Sequence, residues 1–183
     1  MVTVTALRIA DVKSIESPVH SDERGFFFEG WNARSLSAAG FHENFVQDNC
    51  VRSALGVVRG LHYQITKPQG KIIRVIQGEI FDVAVDMRGS SPTFGQWVGG
   101  RLSSEEHRAL WVPPGFAHGY LALSETADVY YKCTEFWDAA DERGVRWNDH
   151  AIGIGWPLGG IGAPIVSARD AVLPPLENAE SYP

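Results

Sequence analysis

The sequence predicts a mainly β protein, a jelly-roll β-sandwich or barrel with a few short helices. Short runs rich in β-branched and aromatic residues follow one another along most of the 183 residues, and turn residues separate them. Only one stretch carries helix signals at both ends. The length and the 44% hydrophobic content suit a single domain over residues 1–183, in which the Pro- and Gly-rich segment from about residue 157 is irregular.

The first forty residues are predicted to form short strands and one helix. Residues 1–20 contain one or two strands that end near Pro18, and a polar turn at 21–25 precedes a short aromatic strand. Asn32 is placed to cap a helix and Gly40 to end it.

The middle of the chain is predicted to alternate strands and turns. Residues 72–76 and 80–87 are rich in β-branched residues, and Gln77-Gly78 between them predicts a tight hairpin. Further strands are expected at residues 94–102, 108–112, 119–123 and 128–137, with turns or loops between them.

Charge and hydropathy exclude two classes of partner. The net charge is -6 and no basic run stands out, so no nucleic-acid partner is expected. No apolar run approaches the length that spans a bilayer, and the N-terminus lacks the layout of a signal peptide, so no membrane is expected. The two cysteines are too few for a disulfide framework, and a reducing cytoplasm is the expected compartment.

One motif is typical of metal sites but is incomplete here. Residues 113–118 have the Pro-x-Gly-x-x-His pattern of a cupin-type barrel, with His118 as the last residue. Metal-binding cupins need an upstream His-x-His, and here that segment reads His62-Tyr63-Gln64. Because Gln64 replaces one imidazole and no clear substitute follows, no metal is predicted.

His62 lies between two cations, Arg59 and Lys71, in the most informative part of the sequence. A histidine alone is more often structural, but two cations are costly to bury without anionic partners and therefore indicate a polar cavity that receives an anion. In such a cavity His62 can accept a proton. Arg59 and His62 differ in strand parity, so they face one cavity only if Gly60 makes a bulge or twist.

Two aromatic residues, Tyr131 and Trp137, have both a packing and a functional interpretation. Period-two alternation in residues 128–137 puts Tyr131, Glu135 and Trp137 on one face. Tyr131 suits core packing, although Glu135 makes the same face partly polar. Trp137 can stack on a ligand ring or close the barrel, and the pattern leaves both interpretations open.

Several motifs in order resemble the dTDP-4-dehydrorhamnose 3,5-epimerase family, from about residue 9 to 173. The resemblance implies a cupin-like jelly roll, usually homodimeric, that acts without metal or other cofactor on a nucleotide-diphosphate sugar with a ketone at C4. The motifs are Asp22-Glu23-Arg24-Gly25, Gly60-Leu61-His62-Tyr63-Gln64, Ser91-Pro92-Thr93-Phe94-Gly95, Pro113-Pro114-Gly115-Phe116-Ala117-His118-Gly119, Trp147-Asn148-Asp149 and Gly155-Trp156-Pro157.

The same resemblance implies roles for individual residues. His62 matches the base, Tyr131 the proton donor, and Lys71 the cation that stabilises the enolate. Asp170 matches the carboxylate that orients the histidine, and only the resemblance assigns it. Trp137 stands where the family commonly has a tyrosine that stacks on thymine. The positions that match substrate-binding residues are Arg24, Glu29, Gln47, Asn49, Arg59, Lys71, His118, Trp137, Glu142 and Arg169.

The expected activity is epimerisation at C3 and C5 of dTDP-4-dehydro-6-deoxy-D-glucose to dTDP-4-dehydro-L-rhamnose, in dTDP-L-rhamnose biosynthesis. A relative that inverts C3 or C5 alone keeps the same base and acid, so residue identity does not separate the two. A non-catalytic sugar-nucleotide binding module has no need for a proton donor opposite a base. A metal-dependent cupin enzyme is the third alternative, and it predicts stoichiometric metal.

Overall fold

Two β-sheets face each other in the computed structural model, which describes residues 1–183. The helices are α1 (Ala33–Ala38), α2 (Ala168–Ala171) and a 3-10 helix (Leu176–Asn178). The strands are β1 (Thr3–Ala6), β2 (Lys13–Glu16), β3 (Val19–Asp22), β4 (Gly25–Phe28), β5 (Gln47–Ala54), β6 (Val57–Gln64), β7 (Lys71–Gln77), β8 (Glu79–Asp86), β9 (Trp97–Ser103), β10 (Ala109–Val112), β11 (Phe116–Ala122), β12 (Thr126–Cys133), β13 (Glu142–Gly144) and β14 (Ile165–Val166).

The strands form two six-stranded sheets and one separate hairpin. Sheet A has the order β1-β2-β10-β7-β12-β5. Sheet B has the order β13-β6-β11-β8-β9, and β14 pairs with β6 in parallel. The β3–β4 hairpin belongs to neither sheet. Because neither sheet closes on itself, the architecture is a jelly-roll-like sandwich, and the predicted mainly β class is confirmed.

Three apolar layers hold the sandwich together. Between the sheets, Ile73 and Val129 of sheet A pack with Ile80 and Phe116 of sheet B, because alternate residues of each strand point inward. Burying one such side chain contributes about 1.5–3 kcal/mol. The outer face of sheet A is covered by α1 and its flanks, and the outer face of sheet B by the C-terminal segment, which includes the buried Tyr182.

The turn at Gln77-Gly78 is not the hairpin that the sequence predicts. Strand β7 pairs with β10 and β12 in sheet A, whereas β8 pairs with β11 and β9 in sheet B. The turn therefore carries the chain from one sheet to the other. Gly78 has φ +79°, and a Cβ there would come within 2.2 Å of the Thr126 carbonyl oxygen. Gln77-Gly78 forms a turn, as predicted, but the strand pairing expected from it is wrong.

The single predicted helix is confirmed, with the cap that the sequence indicates. Asn32 Oδ1 accepts hydrogen bonds from the backbone N–H groups of Arg34 and Ser35, both at 3.1 Å. Gly40 follows the helix with φ +80°. All the helices are only a few residues long, and none is long and apolar enough to cross a membrane.

Candidate active site

A cavity of about 300 Å³ lies between the two sheets. We call its two sides wall A and wall B, after the sheets that supply them. Wall A contributes Gln47, Asn49, Val51, Lys71, Tyr131 and Cys133. Wall B contributes Arg59, His62, His118, Gly119, Tyr120 and Glu142, and loops add Gln69 and Trp137. Nine of the sequence-predicted site residues therefore line this cavity, and two more, Asp170 and Arg169, contact a lining residue.

On wall B, His62 is held by the buried carboxylate of Asp170. His62 Nε2 lies 2.7 Å from Asp170 Oδ1, and Asp170 Oδ2 accepts a hydrogen bond from the Gly60 N–H at 3.2 Å. Burial alone would raise the pKa of Asp170, but the hydrogen bonds from His62 and Gly60 outweigh it and hold the pKa below its usual value. The carboxylate is therefore ionised, and the imidazole nitrogen that faces it carries a hydrogen.

A bulge at Gly60 brings Arg59 and His62 to the same cavity. Strand β6 pairs with β11 through His118↔His62 and Tyr120↔Arg59, so β6 has one residue more than β11 between these pairs. Gly60 has φ +106°, and a Cβ there would lie 2.6 Å from the His118 carbonyl oxygen. Arg59 and His62 differ in strand parity, and the bulge at Gly60 is what lets both face one cavity, as the sequence requires.

The guanidinium of Arg59 is tied to a chain of buried hydroxyl groups. Arg59 Nε donates to Ser53 Oγ at 2.9 Å, and Ser53 Oγ lies 3.0 Å from the hydroxyl of Tyr120. Arg59 Nη2 also donates to the Arg52 carbonyl oxygen at 3.3 Å. Sequence reasoning missed Ser53 and Tyr120, because their contact with Arg59 depends on strand pairing across both sheets.

His118 on wall B has its own carboxylate partner. Its Nε2 lies 3.1 and 3.0 Å from the two carboxylate oxygens of Asp82, which is fully buried. Asp82 was also missed. The available signal was a charged residue inside the apolar run of β8.

Wall A carries two ionisable groups that hydrogen-bond no protein atom, Tyr131 and Lys71. Burial, with smaller contributions from Cys133 and Tyr120, raises the pKa of Tyr131 to about 12. Burial also lowers the pKa of Lys71, against opposing contributions from Cys133, Glu142 and Asp82. Wall A thus presents a phenol that keeps its proton and a cation whose charge is costly to maintain unless an anion binds.

The rim of wall A is fixed by a short amide network. The Trp137 N–H donates to Gln47 Oε1 at 2.9 Å, and Gln47 Nε2 donates to Asn49 Oδ1 at 3.1 Å. Strand β12 ends at Cys133, so the strand expected to reach residue 137 is too long. Glu135 does not line the cavity, whereas Trp137 does and remains 53% exposed.

Comparisons with known proteins identify the family of this chain. The sequence profile described as dTDP-4-dehydrorhamnose 3,5-epimerase matches residues 6–178. A dTDP-4-dehydrorhamnose 3,5-epimerase of Pseudomonas aeruginosa is 52% identical over 180 residues, which are 98% of each chain. This chain belongs to the dTDP-4-dehydrorhamnose 3,5-epimerase family. It is therefore an isomerase.

Solved structures of the epimerase family have the same fold. The dTDP-6-deoxy-D-glucose-3,5-epimerase of Legionella pneumophila, in complex with dTDP-4-keto-L-rhamnose, is similar with a TM-score of 0.92 and 45% identity, covering 97% of this chain and 94% of that one. A 3'-monoepimerase of Streptomyces bikiniensis in complex with dTDP-quinovose reaches 0.87 and 34% identity, covering 94% and 87%. The backbone alone therefore does not distinguish inversion at two carbons from inversion at one.

Gln64, which occupies the position of a metal ligand in other cupins, has a structural role in this family member. The side chain is buried, and its Nε2 donates to the carbonyl oxygens of Lys67 and Phe136 at 2.9 and 3.1 Å. Its Oε1 accepts from the Asp138 N–H at 2.8 Å. Gln64 thus anchors the loop before β13, and no group of three or more His, Cys, Asp or Glu side chains is arranged to hold a metal ion.

Three of the predicted substrate-binding residues lie outside this cavity. Arg169 contacts it indirectly, because its Nη2 lies 2.5 Å from Oε2 of the lining residue Glu142. Arg24 pairs with Asp22 in the exposed β3–β4 hairpin. Glu29 follows that hairpin and accepts a hydrogen bond from Asn32. Within one chain, Arg24 and Glu29 are not brought to the site.

Proposed function

We propose that this protein inverts C3 and C5 of dTDP-4-dehydro-6-deoxy-D-glucose to give dTDP-4-dehydro-L-rhamnose, by metal-free proton transfer next to the C4 ketone. One observation carries the proposal: His62 with Asp170 stands on wall B, and Tyr131 and Lys71 stand on wall A across the same cavity. A base and an acid on opposite sides of one carbon are what inversion requires. The identity to Pseudomonas aeruginosa epimerase over nearly the whole chain supports this choice of substrate.

Proton removal is the task of His62. The C4 ketone acidifies the hydrogens on C3 and C5, and loss of either gives an enolate. Because Asp170 occupies Nε2, the free nitrogen of His62 is Nδ1, which takes the proton from carbon. The imidazolium that forms is stabilised by the ionised carboxylate behind it.

Stabilisation of the enolate and return of the proton are the tasks of wall A. Lys71 meets the negative charge that develops on the C4 oxygen, and the low polarity that lowers its pKa also strengthens this attraction. Tyr131 donates its proton to the face of the carbon opposite His62, which inverts the centre. His62 then releases its proton and Tyr131 regains one before the second carbon reacts.

The remaining positions bind the nucleotide and sugar in this proposal. Arginine guanidinium groups suit the diphosphate because their planar fork matches phosphate oxygens, and Arg59 is the arginine that lines the cavity. Trp137, exposed at the rim, stacks on thymine. The other proposed contacts are Gln47, Asn49, His118, Glu142 and Arg169.

The proposal is tested by turnover of dTDP-4-dehydro-6-deoxy-D-glucose in D2O, followed by NMR. Deuterium is expected at both C3 and C5, with inverted configuration at both. Label and inversion at one carbon only would identify a mono-epimerase like that of Streptomyces bikiniensis. Binding without any label would leave only a binding module, and activity abolished by exhaustive chelation would contradict the metal-free step.

We also propose a homodimer in which the β3–β4 hairpin of each chain completes the site of the other. Arg24 and Glu29 match substrate-binding positions of the family but do not line the cavity of their own chain. The same hairpin exposes Phe26 by 60% and Phe27 by 67%, and exposed adjacent aromatic side chains mark an interface. A partner cavity accounts for both observations.

Subunit complementation tests this arrangement. Arg24→Ala and His62→Ala are purified as separate inactive or weakened variants, then mixed and allowed to exchange subunits. If Arg24 acts in the partner's cavity, each mixed dimer has one intact site and activity reappears. If Arg24 acts in its own chain's cavity, no mixed dimer has an intact site and mixing restores nothing. A sedimentation mass of one chain would also overturn the proposal.

We further propose that residues 1–183 act as one domain, in the cytoplasm, within dTDP-L-rhamnose biosynthesis. Both cysteines are free thiols, which fits a reducing compartment. Cys133 lines the cavity, and burial raises the pKa of its thiol.

A further inference from the structure

Wall B holds a second histidine–carboxylate pair, in which His118 is a proposed substrate contact but its partner Asp82 has no task in the mechanism above. Asp82 is fully buried, and its two oxygens lie 3.1 and 3.0 Å from the same atom, His118 Nε2. No other hydrogen bond reaches this carboxylate. The Asp170 carboxylate differs, because it also accepts from the Gly60 N–H. All of the hydrogen bonding that compensates for burying Asp82 therefore comes from one imidazole.

This dependence determines which atom of His118 faces the cavity. His118 Nε2 is the only hydrogen-bonding neighbour of both Asp82 oxygens, so a hydrogen on Nε2 is what satisfies this carboxylate. A ring flip would leave the buried carboxylate without any donor, which is among the costly defects in a protein interior. Nδ1 is thus the nitrogen of His118 that remains for a ligand, and His118 lines the cavity.

The position of the His118 ring beside His62 limits what His118 can do in the reaction. His118 is the direct cross-strand partner of His62, so the two imidazoles stand side by side on wall B. A group on the same side as the base cannot return a proton to the opposite face. It can hold an oxygen of the sugar while the neighbouring His62 reacts.

We propose that Asp82 is a positioning residue that fixes His118 by Nε2 and leaves Nδ1 to accept a hydrogen bond from a hydroxyl group of the keto sugar beside the base. This inference rests on the proposed function for the identity of the ligand. It assigns different work to two similar pairs: Asp170 supports a histidine that exchanges protons, and Asp82 supports a histidine that does not. The consequence is a contribution of Asp82 to substrate binding rather than to proton transfer.

A double-mutant cycle tests the kinetic part, with Asp82→Asn, His118→Gln and the double variant. Asp82→Asn is expected to raise KM about tenfold, the size of one hydrogen bond in a charged pair, with kcat within about threefold of the parent. In the His118→Gln background the same substitution is expected to add almost nothing, because its effect passes through the ring. Equal losses in both backgrounds, or a fall in kcat at unchanged KM, would overturn the proposal.

Ring nitrogen NMR of ligand-free protein tests the structural part without any substrate or activity. In the parent protein, the His118 signals, assigned by their absence in His118→Gln, are expected to show a hydrogen on Nε2. A hydrogen on Nδ1 with a bare Nε2 would refute the assignment even if Asp82→Asn failed to fold. Where Asp82→Asn folds, it should shift the His118 nitrogens and leave those of His62 in place. Because this readout needs no turnover, its failure is distinguishable from an error in the proposed reaction.

Discussion

Walls A and B of the cavity hold their proposed catalytic side chains in opposite ways. On wall B each reactive or binding group is tied to another protein group: His62 to Asp170, His118 to Asp82, and Arg59 to Ser53. On wall A neither Tyr131 nor Lys71 hydrogen-bonds a protein atom, and burial is the main cause of the pKa shift of each.

The difference indicates which groups lack a partner until the substrate binds. Groups on wall B are oriented before the ligand arrives, so they lose little conformational freedom when it binds. The two groups on wall A gain their partner only when negative charge develops on the sugar, and interactions of that kind accelerate the chemical step. We therefore expect wall B to fix the orientation of the bound sugar, and wall A to stabilise the transition state more strongly than the bound substrate.

The largest expected effect comes from removing the base of wall B. His62→Ala should slow deuterium exchange at C3 and C5 by about 10²–10⁴-fold, the usual contribution of one acid–base group. NMR of the sugar in D2O measures it. His150→Ala, an exposed histidine outside the cavity, serves as the control and should exchange at the parent rate. Near-normal exchange in His62→Ala would contradict the assignment of the base.

Parts of the fold and of the site can be predicted from the sequence. Asn32 predicted its helix because a cap acts within three residues, and the Gly60 bulge could be stated as a condition because strand parity is local. The break in the metal motif at Gln64 was also visible. Each of these inferences depends on neighbours along the chain.

The rest depends on contacts that the sequence does not show. Asp170 is 108 residues from His62 in the sequence, and Asp82 is 36 residues from His118. Each pair therefore forms only when the folded chain brings distant segments together. The hairpin predicted at Gln77-Gly78 is wrong for a similar reason, because the same turn residues suit both a hairpin and a connection between two sheets. The family resemblance indicated Asp170, whereas the one signal for Asp82, a charged residue inside the apolar run of β8, does not name its partner.

The next largest effect should come from Lys71 on wall A. Lys71→Met is expected to lower kcat about 10²–10³-fold, the usual cost of removing one group that stabilises an oxyanion. Lys71→Arg keeps the charge and should retain far more activity. Stopped reactions analysed for the inverted sugar give both rates. Equal rates for Lys71→Met and the parent would show that the enolate is stabilised elsewhere.

The pH dependence separates the two groups of wall A. The rate should fall in acid, because protonated His62 cannot accept a proton. The rate should fall again in alkali as Lys71 loses its proton. Because burial lowers the pKa of Lys71 from its usual 10.5, this second fall should begin at a lower pH than for an exposed lysine. Tyr131, with a pKa of about 12, keeps its proton throughout this range. In Lys71→Arg the alkaline fall should disappear, and its persistence there would assign it to another group.

Tyr131→Phe tests whether wall B removes the proton from the sugar while wall A returns one to the opposite face. Inversion is expected to slow about 10²-fold, while His62 can still remove and return hydrogen on its own side. Deuterium should then enter the substrate with retained configuration, which NMR distinguishes from inversion by coupling constants. Equal loss of label and inversion would show that Tyr131 is needed before the proton leaves carbon.

The smallest expected effect is at Ser53, and it tests how strictly wall B holds its groups. Ser53→Ala removes the acceptor of Arg59 Nε, and one hydrogen bond of about 1 kcal/mol corresponds to a rise in KM of about fivefold at unchanged kcat. Tyr120→Phe is the matched control, because it keeps the Ser53 acceptor and removes only the second hydroxyl. A rise in KM that is larger for Ser53→Ala than for Tyr120→Phe would show that the guanidinium is oriented by Ser53 itself. An unchanged KM in both variants would show that Arg59 is positioned by its ligand, and the preorganisation of wall B would then extend only to its two histidine–carboxylate pairs.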